Sequence, residues 1–174
     1  MLLENFLKGL AYIFPAYVAN ATPVVAVRIL GRSHPLDGRI SLPDGKRLLG
    51  EGKTIEGLLA GIGVGTVTGL VMQALLPFIF RSSLEVFTLS AGALVGDISG
   101  AFIKRRLGLP PGHPAPPLDQ LGFLVAGLLL THASHGLPPW LDLTTIILLI
   151  AFTFGMHVGT NLFAYAVGLK DRWY

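Results

Sequence analysis

The stretch SAGALVGDISGAFIKRRLGLPPGHPAPPLD, residues 90–119, places one aspartate, Asp97, inside an apolar run and closes that run with Lys104, Arg105 and Arg106. A Pro/Gly-rich segment carrying His113 then leads to a second carboxylate, Asp119. Two carboxylates beside clustered cations suit a divalent ion such as Mg²⁺, which takes one or two protein carboxylates and completes its shell with phosphate oxygens and water. Lysine and arginine bind phosphate oxygens by charge-assisted hydrogen bonds. The set holds no covalent nucleophile, and phosphoryl or nucleotidyl transfer needs none: positioning, metal and cations over developing charge suffice. The chain has no cysteine, which excludes thiol nucleophiles, thiolate metal sites and disulfides.

A second group lies upstream in GEGKTIEG, residues 50–57. Thr54 can cap a helix that starts after it, and the free N–H groups of that first turn, as far as Gly57, form a ready anion site. Lys53, flanked by flexible Gly50 and Gly52, suits phosphate. The spacing is not that of a Walker A loop, and an ordinary cap with a snorkelling lysine accounts for the same residues. Asp97 is either a metal ligand or the buried ion-pair partner of Lys104 or Arg105. Asp119 either joins it or merely complements the dipole of a helix N-terminus. Asn20 and Asn161 read equally well as interhelical hydrogen-bonding groups, and His157 as a satisfied core histidine. His132 and His135 read as structural or interfacial.

These residues must be positioned by a membrane bundle. The 174-residue chain is 52% hydrophobic and 13% charged, against about 25% charged in soluble domains. A hydrocarbon core about 30 Å thick takes about 20 mostly apolar residues per helix, and five segments qualify: 9–30, 55–80, 86–103, 120–137 and 144–167. The first, broken by Pro15 and Pro23, is too long for a signal-peptide core and lacks a clear cleavage site. Arg28, Arg32, Arg39, Lys46, Arg47, Lys53, Lys104, Arg105, Arg106, Lys170 and Arg172 fall on one side of such a bundle, and only Lys8 and Arg81 on the other. The positive-inside rule then predicts an external N-terminus, a cytoplasmic C-terminus, and cytoplasmic loops at 31–54 and 104–118. The predicted fold is an all-α integral membrane protein, one catalytic domain over 1–174 with five transmembrane helices. On that frame Asp97 lies two turns, roughly 10 Å, inside Lys104, and an ionisable residue at such depth is a functional candidate by default. Asn20, Glu56 and the His157/Asn161 pair fall at similar depth. Asp119 looks shallower, so either the fourth helix starts below the membrane surface or phosphate or water bridges the two carboxylates. Gly57, Gly61, Gly65 and Gly69 in the second span, and Gly92, Gly96 and Gly100 in the third, are spaced by four. They predict close approach of the second and third helices. Pro43-Asp44-Gly45 predicts the turn of a small hairpin.

The pattern Ser99, Lys104-Arg105, Pro111-Gly112-His113, Asp119 resembles the signature of the CTP-dependent phosphatidate cytidylyltransferases. Leu107-Gly108 stand where that family has Lys-Asp, Pro114-Ala115 where it has Gly-Gly, and Asp119-Gln120-Leu121-Gly122 where it has Asp-Arg-x-Asp. With these departures, the short chain, and the stretches ANATPV, DGKRLLGEGKT and GALVGDISGAFIKRRLG, the sequence is similar over most of its length to the archaeal branch, the CDP-archaeol synthases. The resemblance implies Mg²⁺-dependent transfer of CMP from CTP to 2,3-bis-O-(geranylgeranyl)-sn-glycerol 1-phosphate, releasing pyrophosphate. It implies Asp97 and Asp119 as metal ligands and, with Lys104, as the catalytic set. Lys53, Lys104 and Arg105 would bind phosphates; Arg106, His113, Asn20, Thr54 and Gly57 are further substrate-binding candidates that the residues themselves suggest. One metal ion is expected, because the second aspartate after Asp119 is missing. The implied partners are CTP, an isoprenoid ether glycerol phosphate lipid and the bilayer, without nucleic acid, at the cytoplasmic face of the cell membrane. A rival reading makes the Asp97 cluster the pathway of a small ion or metabolite transporter. Another makes the chain a scaffold that recruits anionic headgroups through its basic loops.

Overall fold

The computed structural model describes residues 1–168. Five helices follow one another: α1 (Leu2–Leu30), α2 (Ile55–Leu75), α3 (Ser83–Arg106), α4 (Leu118–His135) and α5 (Leu143–Ala166). By length and composition α1, α2, α3 and α5 can each cross a membrane. α4 is shorter, with Asp119 in its first turn and His132 and His135 in its last. Val24, Ile29, Leu59, Val67, Leu75, Leu129, Ile147 and Leu162 stand exposed around the bundle. Apolar surface on that scale belongs to a membrane protein. Lys170 and Arg172, which helped to orient the predicted spans, lie outside the described residues.

Local chemistry moves the helix ends away from the predicted spans. α1 begins at Leu2 rather than residue 9, because a Glu4–Lys8 pair at 2.6 Å carries the helix through polar residues that hydropathy discards. Nor do Pro15 and Pro23 break it. The Thr22 hydroxyl turns back to the Val18 carbonyl at 2.6 Å. The Ala19 carbonyl, which Pro23 deprives of its helical donor, is covered by Gly61 of α2, where an added Cβ would lie 2.7 Å from it. α2 stops at Leu75 instead of reaching 80, since Pro77 excludes the helical conformation from Leu76, whose φ is −131°. α3 gains a turn at its start, capped by the Ser82 hydroxyl on the Glu85 N–H at 3.2 Å. At its other end Lys104, Arg105 and Arg106 lie within the helix, where cations complement the dipole. Gly136, at φ +68°, closes α4.

The second and third helices approach closely as expected, with Gly61, Gly65 and Gly69 against Leu94, Ser90 and Val86, and each glycine stripe also serves a further neighbour. α2 lays its glycines on α1 as well as α3: Gly65 faces Ala19 and Pro15 with Ser90, and Gly69 faces Pro15 with Val86. α3 turns its glycines to α4, so that Gly92 meets Gly127 and Ala126, Gly96 meets Gly122 and Ala126, and Gly100 meets Leu118. α3 is therefore enclosed between both helices, and its Leu89, Ala93 and Leu94 join Tyr12, Ile13, Ala16, Phe123, Leu124 and Leu149 in the core. At the end of the bundle away from Asp97, the fully buried Glu85 accepts from Tyr12 Oη at 2.8 Å and from Arg81 Nη2 at 2.6 Å. Arg81 also donates to the Gly136 carbonyl at 2.5 Å. One arginine thus ties the α2–α3 turn to α1 and to the end of α4.

Candidate active site

The loop between α1 and α2 is built around Asp37. Its side chain is fully buried and accepts from the N–H groups of Leu49 and Gly50 at 3.0 and 3.1 Å, and from Nη2 and Nε along one edge of the Arg47 guanidinium at 2.7 and 3.2 Å. Burial alone would push the Asp37 carboxyl up, but Arg47 and the N–H donors outweigh it and hold it well below the usual carboxylate range. The predicted hairpin is present: Ser41 and Arg47 face each other across the Pro43-Asp44-Gly45 turn, with Gly45 at φ +73° and its N–H on the Leu42 carbonyl at 2.9 Å. Arg106 fastens this hairpin to the end of α3, through Asp44 at 2.7 Å and the carbonyls of Lys46 and Arg47 at 3.3 and 2.5 Å. The Asp44 carboxyl is held low by the Lys46 N–H and by that guanidinium. A short antiparallel contact of Pro35 with Thr54, with Leu36 N–H on the Lys53 carbonyl at 2.7 Å, then aims the loop's last residues at α3.

That aim brings Lys53 onto Asp97. The ammonium lies 2.7 and 2.6 Å from the two carboxylate oxygens. So the ion-pair partner of Asp97 is neither Lys104 nor Arg105, but a lysine 44 residues upstream. Lys104 lies instead 2.7 Å from Asp119 Oδ1, while Asp119 Oδ2 accepts the Ala115 N–H at 2.8 Å. Thr54 caps α2 through its hydroxyl, which accepts from the Gly57 N–H at 3.1 Å. Both carboxylates and both lysines line one cleft with Asn20, Gly96, Gly100, Leu118 and Phe123. An adjoining hollow, bounded by Gly52, Lys53, Thr54, Leu58, Asp97 and Pro23, continues the cleft along the N-terminus of α2.

The depth difference between the two aspartates resolves through the glycines. α4 starts with Leu118 against Gly100, six residues short of the end of α3, which is roughly 9 Å of helix. Its first turn is therefore level with Asp97 rather than with the Lys104–Arg106 rim.

The other candidates fall in different places. Arg106 is spent on Asp44 and the loop carbonyls, and stacks on Phe102 at 5.4 Å. His113 is exposed in the loop before α4, its N–H on the Pro110 carbonyl at 3.1 Å, and does not line the cleft. Arg105 is buried on a separate side of α3. Gly57 packs under Thr54 and Pro23. Glu56 accepts from the backbone and ring of His34, so it anchors the loop rather than the cleft. His157 packs on Phe123, whose ring lines the cleft, at 5.9 Å. Leu118 and Asp37 are additions that no motif marks. A turn-forming Asp near Gly38 was the one available cue for the latter.

The donor set fits a single Mg²⁺. Among the described residues no group of three or more His, Cys, Asp or Glu is gathered for a metal. Two carboxylates facing one cleft leave the remaining positions to phosphate and water, as Mg²⁺ prefers.

The sequence matches the family model of the CarS-like CDP-archaeol synthases over residues 2–174. A CDP-archaeol synthase of Thermococcus gammatolerans is 44% identical, covering 97% of this chain and 96% of that protein. One of Pyrococcus furiosus is 43% identical over 98% and 97%, and one of Aeropyrum pernix 42% identical over 97% and 92%. A solved structure of an intramembrane enzyme for archaeal membrane lipids biosynthesis superposes with a TM-score of 0.76 at 39% identity, covering 90% of this chain and 94% of that one. The chain with the paired Lys53–Asp97 and Lys104–Asp119 cleft is an enzyme, and it belongs to the CarS-like CDP-archaeol synthase family, the nucleotidyltransferases of archaeal lipid biosynthesis.

Proposed function

We propose that the cleft transfers CMP from CTP to 2,3-bis-O-(geranylgeranyl)-sn-glycerol 1-phosphate, with Mg²⁺ as cofactor, giving unsaturated CDP-archaeol and pyrophosphate. The observation that carries this reading is the pairing of two carboxylates with two lysines on one cleft, in a chain of that family. Asp97 and Asp119 would hold the ion, which supplies charge neutralisation at the triphosphate. Lys53 and Lys104 are placed to exchange their carboxylate partners for phosphate oxygens and to cover the charge that develops on the departing pyrophosphate. Asn20 and Thr54 line the cleft and its adjoining hollow, where they can bind polar edges of the nucleotide. The attacking nucleophile is the lipid's phosphate oxygen, which forms the new bond to the α-phosphorus as the bond to pyrophosphate breaks. No proton needs to be removed from an ionised phosphate, which agrees with a cleft that is lined by no histidine among the described residues.

Five membrane-crossing helices, with the Lys53–Asp97 end in the cytoplasm, complete the reading. In that arrangement the cleft would lie where a soluble nucleotide meets a lipid headgroup, and the positive-inside distribution supports the orientation. A transport path is not favoured: the far end is filled by Tyr12, stacked on Phe80 and edge-on to Trp140, over the Glu85–Arg81 pair. The test is purified full-length protein in detergent with labelled CTP, the lipid phosphate and Mg²⁺. Formation of CDP-lipid that stops on chelation and returns with Mg²⁺ is expected. Ion flux in liposomes without any CDP-lipid would overturn the assignment.

A further inference from the structure

Arg105 is 7% exposed, and its Nε–H, sealed from solvent, meets no acceptor. Arg47, Arg81 and Arg106 each have a carboxylate, whereas Arg105 forms no ion pair among the described residues. A buried guanidinium without a counter-charge is costly. It lines a cavity of about 270 Å³ with Lys46, Arg47, Gly50, Glu51 and Pro111. None of these residues lines the Asp97–Asp119 cleft. Arg47 and Glu51 neutralise each other at 2.8 Å. Lys46 donates to the Arg106 carbonyl at 3.0 Å, and like Arg105 it forms no ion pair among the described residues. Gly50, at φ +101°, presents bare backbone there, with an added Cβ only 3.9 Å from the guanidinium. The volume lies at the lower edge of ligand pockets, roughly 300 Å³ upward, which suits something the size of a phosphate headgroup.

We propose that this cavity is a second anion site, separate from the cleft, which binds a phosphate or pyrophosphate group through Arg105 and Lys46. The shared chemistry admits two sources, a free inorganic anion or the phosphomonoester headgroup of a lipid at the membrane boundary. The site does not depend on the proposed reaction, so its test removes the cleft's own lysines. Isothermal titration with inorganic pyrophosphate, without Mg²⁺, is carried out on full-length Lys53→Met/Lys104→Met protein in detergent. One pyrophosphate per chain should still bind. Adding Arg105→Gln should weaken it about ten- to hundredfold, the range of a lost charge-assisted contact, while Arg105→Lys retains much of it. Lys46→Gln, at the more exposed end of the cavity, should weaken it several-fold and decides the matter if Arg105→Gln does not fold by thermal melting. Nanodiscs containing phosphatidic acid that displace pyrophosphate assign the occupant to a lipid headgroup, and an unchanged isotherm assigns it to a free anion. No binding in the Lys53→Met/Lys104→Met protein, or unchanged affinity in both folded cavity variants, would overturn the proposal.

Discussion

Replacing Gly96 by alanine tests the link between helix packing and chemistry most directly. A Cβ at this position would overlap the Gly122 carbonyl oxygen, and would lie 2.8 Å from the Gly122 carbonyl carbon and 2.7 Å from Ala126 Cβ. Ordinary carbon–carbon contact is about 3.5–4.0 Å, so α3 and α4 must part by about 1 Å. Neither neighbour is the end of a flexible side chain, and the strain should cost about 1–3 kcal/mol of stability. Asp97 adjoins Gly96 on α3, and Asp119 stands three residues before Gly122 on α4. The parting therefore acts on the separation of the two carboxylates. Misplacement by about 1 Å in a catalytic site can cost about 10²-fold in rate. CDP-lipid formation at saturating CTP should fall by that order, alongside a lower melting temperature in detergent. Gly63→Ala is the control, because nothing lies within 4 Å of its added Cβ. It should keep full turnover and gain about 0.5–1 kcal/mol from helix propensity. Full turnover in Gly96→Ala would refute the claim that this crossing sets the site. An equal loss in Gly63→Ala would show that glycine flexibility, not space, matters.

Asp97→Asn should abolish turnover with melting within a few degrees of the parent, and retained turnover would reduce the Lys53–Asp97 pair to a structural contact. Lys53→Met should lower kcat/KM for CTP by about ten- to hundredfold, and an unchanged value would remove Lys53 from phosphate binding. Asp37 has a carboxyl depressed in the folded state, so its stabilisation is complete above the ordinary carboxylate value of about 4 and is lost only as pH falls through its lower folded value. Proteolytic protection of loop 31–54 should thus stay flat from pH 8 to about pH 4, and Asp37→Asn should lower it throughout that range. A loop equally protected in the variant would contradict the role given to this carboxylate. Glu85→Gln takes the counter-charge from Arg81, which is exposed, and weakens the bonds at a fully buried carboxyl, so it should cost about 1–3 kcal/mol, read by melting. KM for CTP in the folded fraction should not move, because this pair sits at the far end of the bundle.

Much of this site was legible in residue type and spacing. Asp97 stands out because a carboxylate in an apolar helix has few innocent explanations, and Asp119 because it opens the next helix. Lys53 is legible as a phosphate-binding candidate, yet its partner is not: a pair 44 residues apart depends on the Pro35–Thr54 contact and on Asp37 holding the loop in shape. Arg105 and Arg106 look alike in a row of three cations. The step of about 100° between neighbours on α3 points them to different sides, so Arg106 ends on Asp44 and Arg105 in a cavity of its own. Glycine spacing announces close packing without naming the neighbour. The face of α3 that carries Gly92, Gly96 and Gly100 went to α4, where the small residues Gly122, Ala126 and Gly127 let the backbones close on it.

Apolar length sets the helical membrane class, and the order of the charges sets the predicted orientation. Both follow from local composition, since lipid demands internally hydrogen-bonded spans and cationic loops resist translocation. The level at which two carboxylates meet belongs to neither. It was decided by where α4 starts against Gly100 and how near it comes at Gly96, which is a matter of backbone contact between segments distant in the chain.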